Sequence, residues 1–120
     1  MAEGSDDGSV TLAEALERVA RESKRFATVF RHGTLEVELY APRGQDPQTP
    51  HTRDEAYIIA RGSGVFRNGG KIIPFGPGDF LFVPAGVGHR FESFSEDFAA
   101  WVLFYGPEGG EAAARSRSST

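Results

Sequence analysis

The sequence predicts an all-β domain, a jelly-roll-like barrel of short antiparallel strands with one amphipathic helix at its N-terminal end. Three observations lead there. Between Phe26 and Tyr105 the apolar residues fall into eight short runs of strand character, with no helical pattern between them. Clusters of Gly, Pro, Asn, Asp and Ser separate those runs. Gly and Pro number 15 and 7 of 120 residues, the share expected where many strands need many turns. Two helix-free halves of similar strand count suit a closed barrel, which hides its sheet edges.

The helix comes first. Thr11 and Glu14 form a capping box, a hydroxyl with a glutamate three residues later. Leu12, Leu16, Val19, Ala20 and Phe26 recur near helical spacing, which predicts a helix from about Leu12 to Lys24 covering one edge or end of a sheet. The period then changes to two. In Thr34–Ala41, Leu35, Val37 and Leu39 alternate with Glu36, Glu38 and Tyr40, a strand with two different faces. The other expected strands are Phe26–Arg31, Glu55–Ala60, Gly64–Arg67, Lys71–Pro74, Phe80–Val83, Arg90–Phe94 and Phe98–Tyr105. Asn68-Gly69 is a hairpin signal, since a type I′ turn needs positive φ at both centres. Trp101 to Tyr105 is apolar on both faces, so this strand is expected to be covered on both sides, in the barrel or in a subunit contact.

Composition limits the function. The chain is 39% apolar and 25% charged, which suits one globular domain. Residues 1–9 and 107–120 are small and polar, so they are expected as flexible tails around a single domain over residues 10–106. A net charge of −4 and a pI near 5.3 argue against nucleic-acid binding. The absence of cysteine removes disulfides, thiolate metal sites and cysteine nucleophiles. Met1 to Ser9 has no signal-peptide pattern, and no apolar run approaches the ~20 residues that span a bilayer. The expectation is a soluble cytoplasmic protein without a membrane partner.

With three histidines and no cysteine, a transition-metal site must combine imidazole with oxygen. His51 and Glu55 share a face of an extended chain but stand about 13 Å apart at full extension, so sharing an ion requires a bend. By itself this pair reads as a surface His and Glu beside a turn. The region around His89 changes that reading. Gly78, Pro84, Gly86 and His89 match, position by position, G-x5-P-x-G-x2-H-x3-N, the second motif of the cupin superfamily; Ser93 replaces the final Asn. The first motif, G-x5-H-x-H-x3,4-E-x6-G, is present in altered form. Glu55 and Gly62 match its second half, His51 stands at its second histidine, Thr49 replaces the first, and Gly44 is one residue late. Reading His51 as the first histidine would put Arg53 and Tyr57 at ligand positions, and that register is rejected. The chain thus resembles a small single-domain cupin over about Leu35 to Tyr105.

The resemblance implies a double-stranded β-helix barrel holding a divalent metal through His51, Glu55 and His89. Thr49 is a candidate further donor, although a neutral hydroxyl replaces an imidazole poorly, and Gln48 is an oxygen donor nearby if the chain bends. Two imidazoles and one carboxylate are the donor set of the non-haem iron facial triad, and Fe, Zn, Mn or Ni all fit such a set. A weak or vestigial site is the alternative. Arg53 is a candidate anchor for an anionic substrate. Tyr57 and Ile59 share parity with Glu55, and Phe91 with His89, so these residues are expected to line the pocket. His32, beside Gly33, reads as a turn-side residue, and Asp79 as a turn or capping group. Three readings remain: a metal-dependent enzyme, an oxygenase or isomerase acting on a small organic molecule; a non-enzymatic module that binds one; or a dimerisation domain whose apolar last strand and helix pack against a second copy. A homodimer is expected with each.

Overall fold

The capping box at Thr11 forms as expected. In the computed structural model, which describes residues 8–112, Thr11 Oγ1 accepts from the Glu14 amide at 3.0 Å and Glu14 Oε1 accepts from the Thr11 amide at 2.8 Å. Helix α1 spans Leu12–Ala20, capped by Arg21, and stops four residues short of the expected Lys24. Phe26, counted as part of the helical pattern, instead begins the first strand and packs on the barrel core. Between them Arg25 adopts φ 67°, the left-handed region, and turns the chain back.

Eight strands follow: β1 Phe26–His32, β2 Leu35–Tyr40, β3 Asp54–Arg61, β4 Gly64–Asn68, β5 Lys71–Phe75, β6 Phe80–Val83, β7 His89–Phe94 and β8 Ala99–Tyr105. Each lies within one residue of its expected bounds. They form a five-stranded sheet, β1-β2-β8-β3-β6, and a three-stranded sheet, β5-β4-β7, all neighbours antiparallel. The β4–β5 turn departs from expectation. Asn68 pairs with Lys71, so Gly69 and Gly70 are the turn centres, and only Gly69 has positive φ. A type I′ turn is thereby excluded.

The two sheets face each other across an apolar core. Tyr57, Ile59, Val83, Val102 and Phe104 come from the larger sheet, Phe66, Phe75 and Phe91 from the smaller. The aromatic rings interlock, with Phe91 within 5.4 Å of Phe66, Phe75, Phe98 and Tyr57 by ring centroids. A second cluster, including Ala15, Val19, Val29 and Leu39, lies under α1. The helix therefore covers the outer face of β1 and β2, the edge strand of the larger sheet and its neighbour. Covering Val37 and Leu39 in this way leaves Glu38 and Tyr40 on the inner side of β2, where both line a cavity. Strand β8 runs between β2 and β3, with Val102 and Phe104 inward and Trp101 beside the helix. Cover for both its faces thus comes largely from within one chain.

Past residue 106 the chain is still bonded to the domain. The Gly109 amide donates to the Thr52 carbonyl at 2.6 Å and the Glu111 amide to Asp54 Oδ2 at 2.8 Å. The expected tail from 107 thus begins with a docked turn. The rest of it from 113, and residues 1–7 of the expected N-terminal tail, lie outside the described residues. Among the described residues no helix is long and apolar enough to cross a membrane.

Candidate metal centre

His51 precedes β3, Glu55 is its second residue, and His89 opens β7 in the opposite sheet. The chain bends at Thr52 and Arg53, which supplies the turn that an extended His51–Glu55 segment would lack. Glu55 Oε1 lies 3.1 Å from His89 Nε2 and 3.8 Å from His51 Nε2. One donor atom from each residue lies within 4.8 Å of the others. Ligands about 2.0–2.2 Å from a common ion stand roughly 3–4 Å apart, so this group fits a divalent metal site with small adjustment.

The orientation of His89 points the same way. Its Nδ1 contacts the Val87 carbonyl at 2.9 Å, a bond in which only a protonated Nδ1 can donate. In the neutral ring, Nε2 then carries the lone pair and faces the Glu55 carboxylate. Glu55 and His89 side chains are 1% and 0% exposed, yet Glu55 Oε1, Glu55 Oε2 and His89 Nε2 make no hydrogen bond. Buried acceptors facing one another are unfavourable unless a cation or proton lies between them. Burial opposes protonation of His89, but the Glu55 carboxylate and the Val87 carbonyl outweigh it and raise its pKa above 6.5. Protons therefore compete with metal from above pH 6.5 downward.

The two motif segments are tied together by backbone bonds. The Gly86 amide donates to the His51 carbonyl at 2.7 Å and the Ala85 amide to Asp54 Oδ1 at 2.9 Å. Asp54 is buried, and its other oxygen holds Glu111, so one carboxylate fixes the turn leading to His89 beside the segment bearing His51. Asp54→Asn keeps one acceptor and turns a donor against an amide. Denaturant titration is expected to show a loss of about 1–3 kcal/mol.

A cavity of about 550 Å³ adjoins the group, lined by His51, Glu55, Glu38, Tyr40, Gln48, Thr49, Val102 and Phe104 together with rim residues. Glu38 is half-buried, and its carboxyl is raised to about 7 by desolvation and then by the Glu36 and Glu55 carboxylates. Since 4.5 is its ordinary value, the folded protein binds this proton more tightly than the unfolded chain does. Its stabilising effect is complete below pH 4.5 and is lost as pH rises through about 7. In chelator, Glu38→Gln is expected to flatten that slope and to gain about 1–2 kcal/mol over the parent at pH 8, read by denaturant titration at pH 5 and 8.

Sequence reasoning missed Glu38, Asp46 and Asp54. Asp46 is buried and accepts from the Phe91 amide at 2.8 Å, from Gln48 Nε2 at 2.8 Å and from the Tyr40 hydroxyl. It pins the 44–50 loop onto the two sheets, but within a Pro-, Gly- and Gln-rich stretch nothing marked it out. Alternation did flag the Glu38 face of β2, without saying that it pointed inward.

The candidate residues divide in space. His51, Glu55 and His89 converge. Gln48 lines the cavity, but its amide is engaged, accepting from the Tyr57 hydroxyl at 2.9 Å and donating to Asp46. Thr49 lines the cavity and is exposed. Tyr57, Ile59 and Phe91 point inward as their parity requires, but lie in the close-packed core and not on the cavity wall. Arg53 is turned away, donating to the Thr34 and Gly106 carbonyls and lying 3.8 Å from Glu36; it lines a different surface. His32 is exposed at the end of β1, and Asp79 accepts from the Gly76 amide at 2.8 Å within a turn.

Known proteins share this architecture. The family model described as "Cupin domain" matches residues 36–105. An uncharacterised protein of Streptomyces coelicolor is 34% identical over 94 residues, 77% of this chain and 89% of its own length. A Thermus thermophilus protein of solved structure superposes with a TM-score of 0.62 at 25% identity, covering 82% of this chain and 98% of that one. The DMSP lyase DddQ of Ruegeria pomeroyi superposes with a TM-score of 0.58 at 28% identity, covering 72% of this chain and 50% of that one. The converging motif residues, the two-sheet barrel and the matched span together make this chain a member of the cupin family.

Proposed function

We propose that this cupin binds one divalent metal ion through His51, Glu55 and His89 and acts on a small organic molecule in the adjoining cavity, as an oxygenase or isomerase. One observation carries the reading: three buried polar atoms of Glu55 and His89 stand together with no hydrogen-bond partner. A divalent ion there would supply Lewis acidity or, for iron, redox chemistry. The remaining chemistry belongs to the chain. Glu55 offsets charge beside two neutral imidazoles, and the Val87 carbonyl holds His89 in the tautomer that presents Nε2. Glu38, protonating near 7, can hold or release a proton at its carboxyl within the same cavity. Val102 and Phe104 give that cavity an apolar wall. Resemblance to a lyase supports an enzymatic reading.

Elemental analysis after loading with Zn²⁺ or Fe²⁺ tests the centre. One ion per chain is expected, with loss of most of it in His89→Ala and in His51→Ala; unchanged content in both rejects the assignment. A binding or sensing module is the second reading. It is favoured by the His51 ring, 36% exposed, which meets Phe104 at a 60° tilt with ring centroids 4.8 Å apart and has no side-chain hydrogen bond among the described residues. Metal-dependent turnover in a screen of carbonyl and phenolic compounds with Fe²⁺ and O₂ separates the two. For the expected homodimer, the exposed Ile58, Phe80 and Phe82 along β3 and β6 are the supporting surface.

A further inference from the structure

The cavity is polarised. Its inner wall carries the acids Glu38 and Glu55, whereas Lys24, Arg25 and Arg43 line it nearer the helix and the β2–β3 loop. In a chain of net charge −4, three cations around one cavity need a reason. Among the described residues Lys24 and Arg43 have no carboxylate within 4 Å. Arg25 spends only Nε on the protein, donating to the Ala41 carbonyl at 2.9 Å, while its own carbonyl accepts from the Ala41 amide at 2.9 Å. Its terminal nitrogens have no partner among the described residues. Desolvation and then the charge of Arg43 lower the Arg25 pKa, so the two guanidinium groups feel each other without an anion between them.

The backbone supports the same conclusion. Among the described residues Arg25 is the one non-glycine at positive φ. Such a conformation is strained for a residue that carries a side chain, and the Ala41 bonds hold Arg25 in place there. Two like-charged forks, one pre-oriented and neither neutralised, suit a planar oxyanion. The space between them and the inner wall is bounded by Phe26, Val102 and Phe104, which suit an apolar body.

We propose that Lys24, Arg25 and Arg43 form an anion subsite that selects small organic acids, binding the carboxylate at the mouth while the body lies along the apolar wall. That the far end of the acid reaches the metal rests on the reading given under Proposed function; the subsite does not. Calorimetry with 3-phenylpropionate and its neutral amide tests it, in chelator and with one equivalent of Zn²⁺. The acid is expected to bind at least tenfold tighter than the amide under both conditions, and more weakly as salt is raised. Arg43→Ala is expected to remove most of that preference and Arg43→Lys to retain part of it; Arg43 is exposed, so neither change threatens the fold. Equal binding of acid and amide, binding of neither, or an acid preference untouched by Arg43→Ala overturns the subsite. Metal uptake without acid preference overturns the subsite alone. Arginine-dependent acid preference in a chain that takes up no metal overturns the metal reading alone.

Discussion

Glu55→Gln is expected to change stability in opposite directions depending on metal. In chelator, at a pH where His89 is neutral, the variant gains about 1–3 kcal/mol, because a buried carboxylate with neither oxygen hydrogen-bonded becomes a neutral amide. The new NH₂ can also donate to His89 Nε2, which lies 3.1 Å from Glu55 Oε1 and is left as an acceptor by the Val87 contact. With metal at a hundredfold excess over its Kd, the parent gains about 2.7 kcal/mol by mass action and the variant gains little. The order of stability therefore narrows or inverts on adding metal. Thermal unfolding of both proteins with and without Zn²⁺ reads it directly. A variant that responds to metal as strongly as the parent would show that Glu55 is not a ligand.

Gly64→Ala carries the largest expected cost outside the site. A Cβ at Gly64 would lie 2.0 Å from the Ser93 carbonyl oxygen and 2.8 Å from the Phe94 Cα. Both are backbone atoms of β7, so no rotamer change can make room. Gly64 starts β4 opposite Phe94, beside a register shift in the β4–β7 pairing. Relief requires parting those strands, at about 3 kcal/mol or more, a large share of a small domain's stability. Because β7 begins with His89, metal affinity is expected to fall as well. Gly70→Ala is the control: nothing lies within 4 Å of its Cβ position and it sits in a turn, so it is expected to cost under ~1 kcal/mol. Denaturant midpoints for the two variants decide the matter, and equal values would show that the close approach is not constraining.

Much of this architecture was legible because it is written in local patterns. Period-two alternation and Gly/Pro punctuation located all eight strands, and the Thr11–Glu14 capping box located the start of α1. The end of α1 was not legible, since Phe26 satisfies helical spacing while its burial partner is the barrel. The faces of β2 were legible as different but not as inner and outer. That choice depends on α1 covering Val37 and Leu39, a contact between distant segments. The same limit hid Glu38, whose raised pKa is a property of its surroundings, and misplaced Arg53, which the bend before β3 turns toward Thr34 and Gly106.

What the residues alone determined is the list of strands and turns, and the kind of donors a metal site must use: imidazole and carboxylate, with no thiolate. What only the tertiary structure decided is which of those groups meet. His51 and His89 are 38 positions apart in the sequence; His51 lies in the segment before β3 of one sheet and His89 opens β7 of the other. Their approach follows from sheet packing and from the Asp54 and Gly86 bonds that dock one motif on the other. Local sequence sets backbone preference within a few residues. Burial, charge and ligand geometry depend on neighbours that chain folding alone brings together.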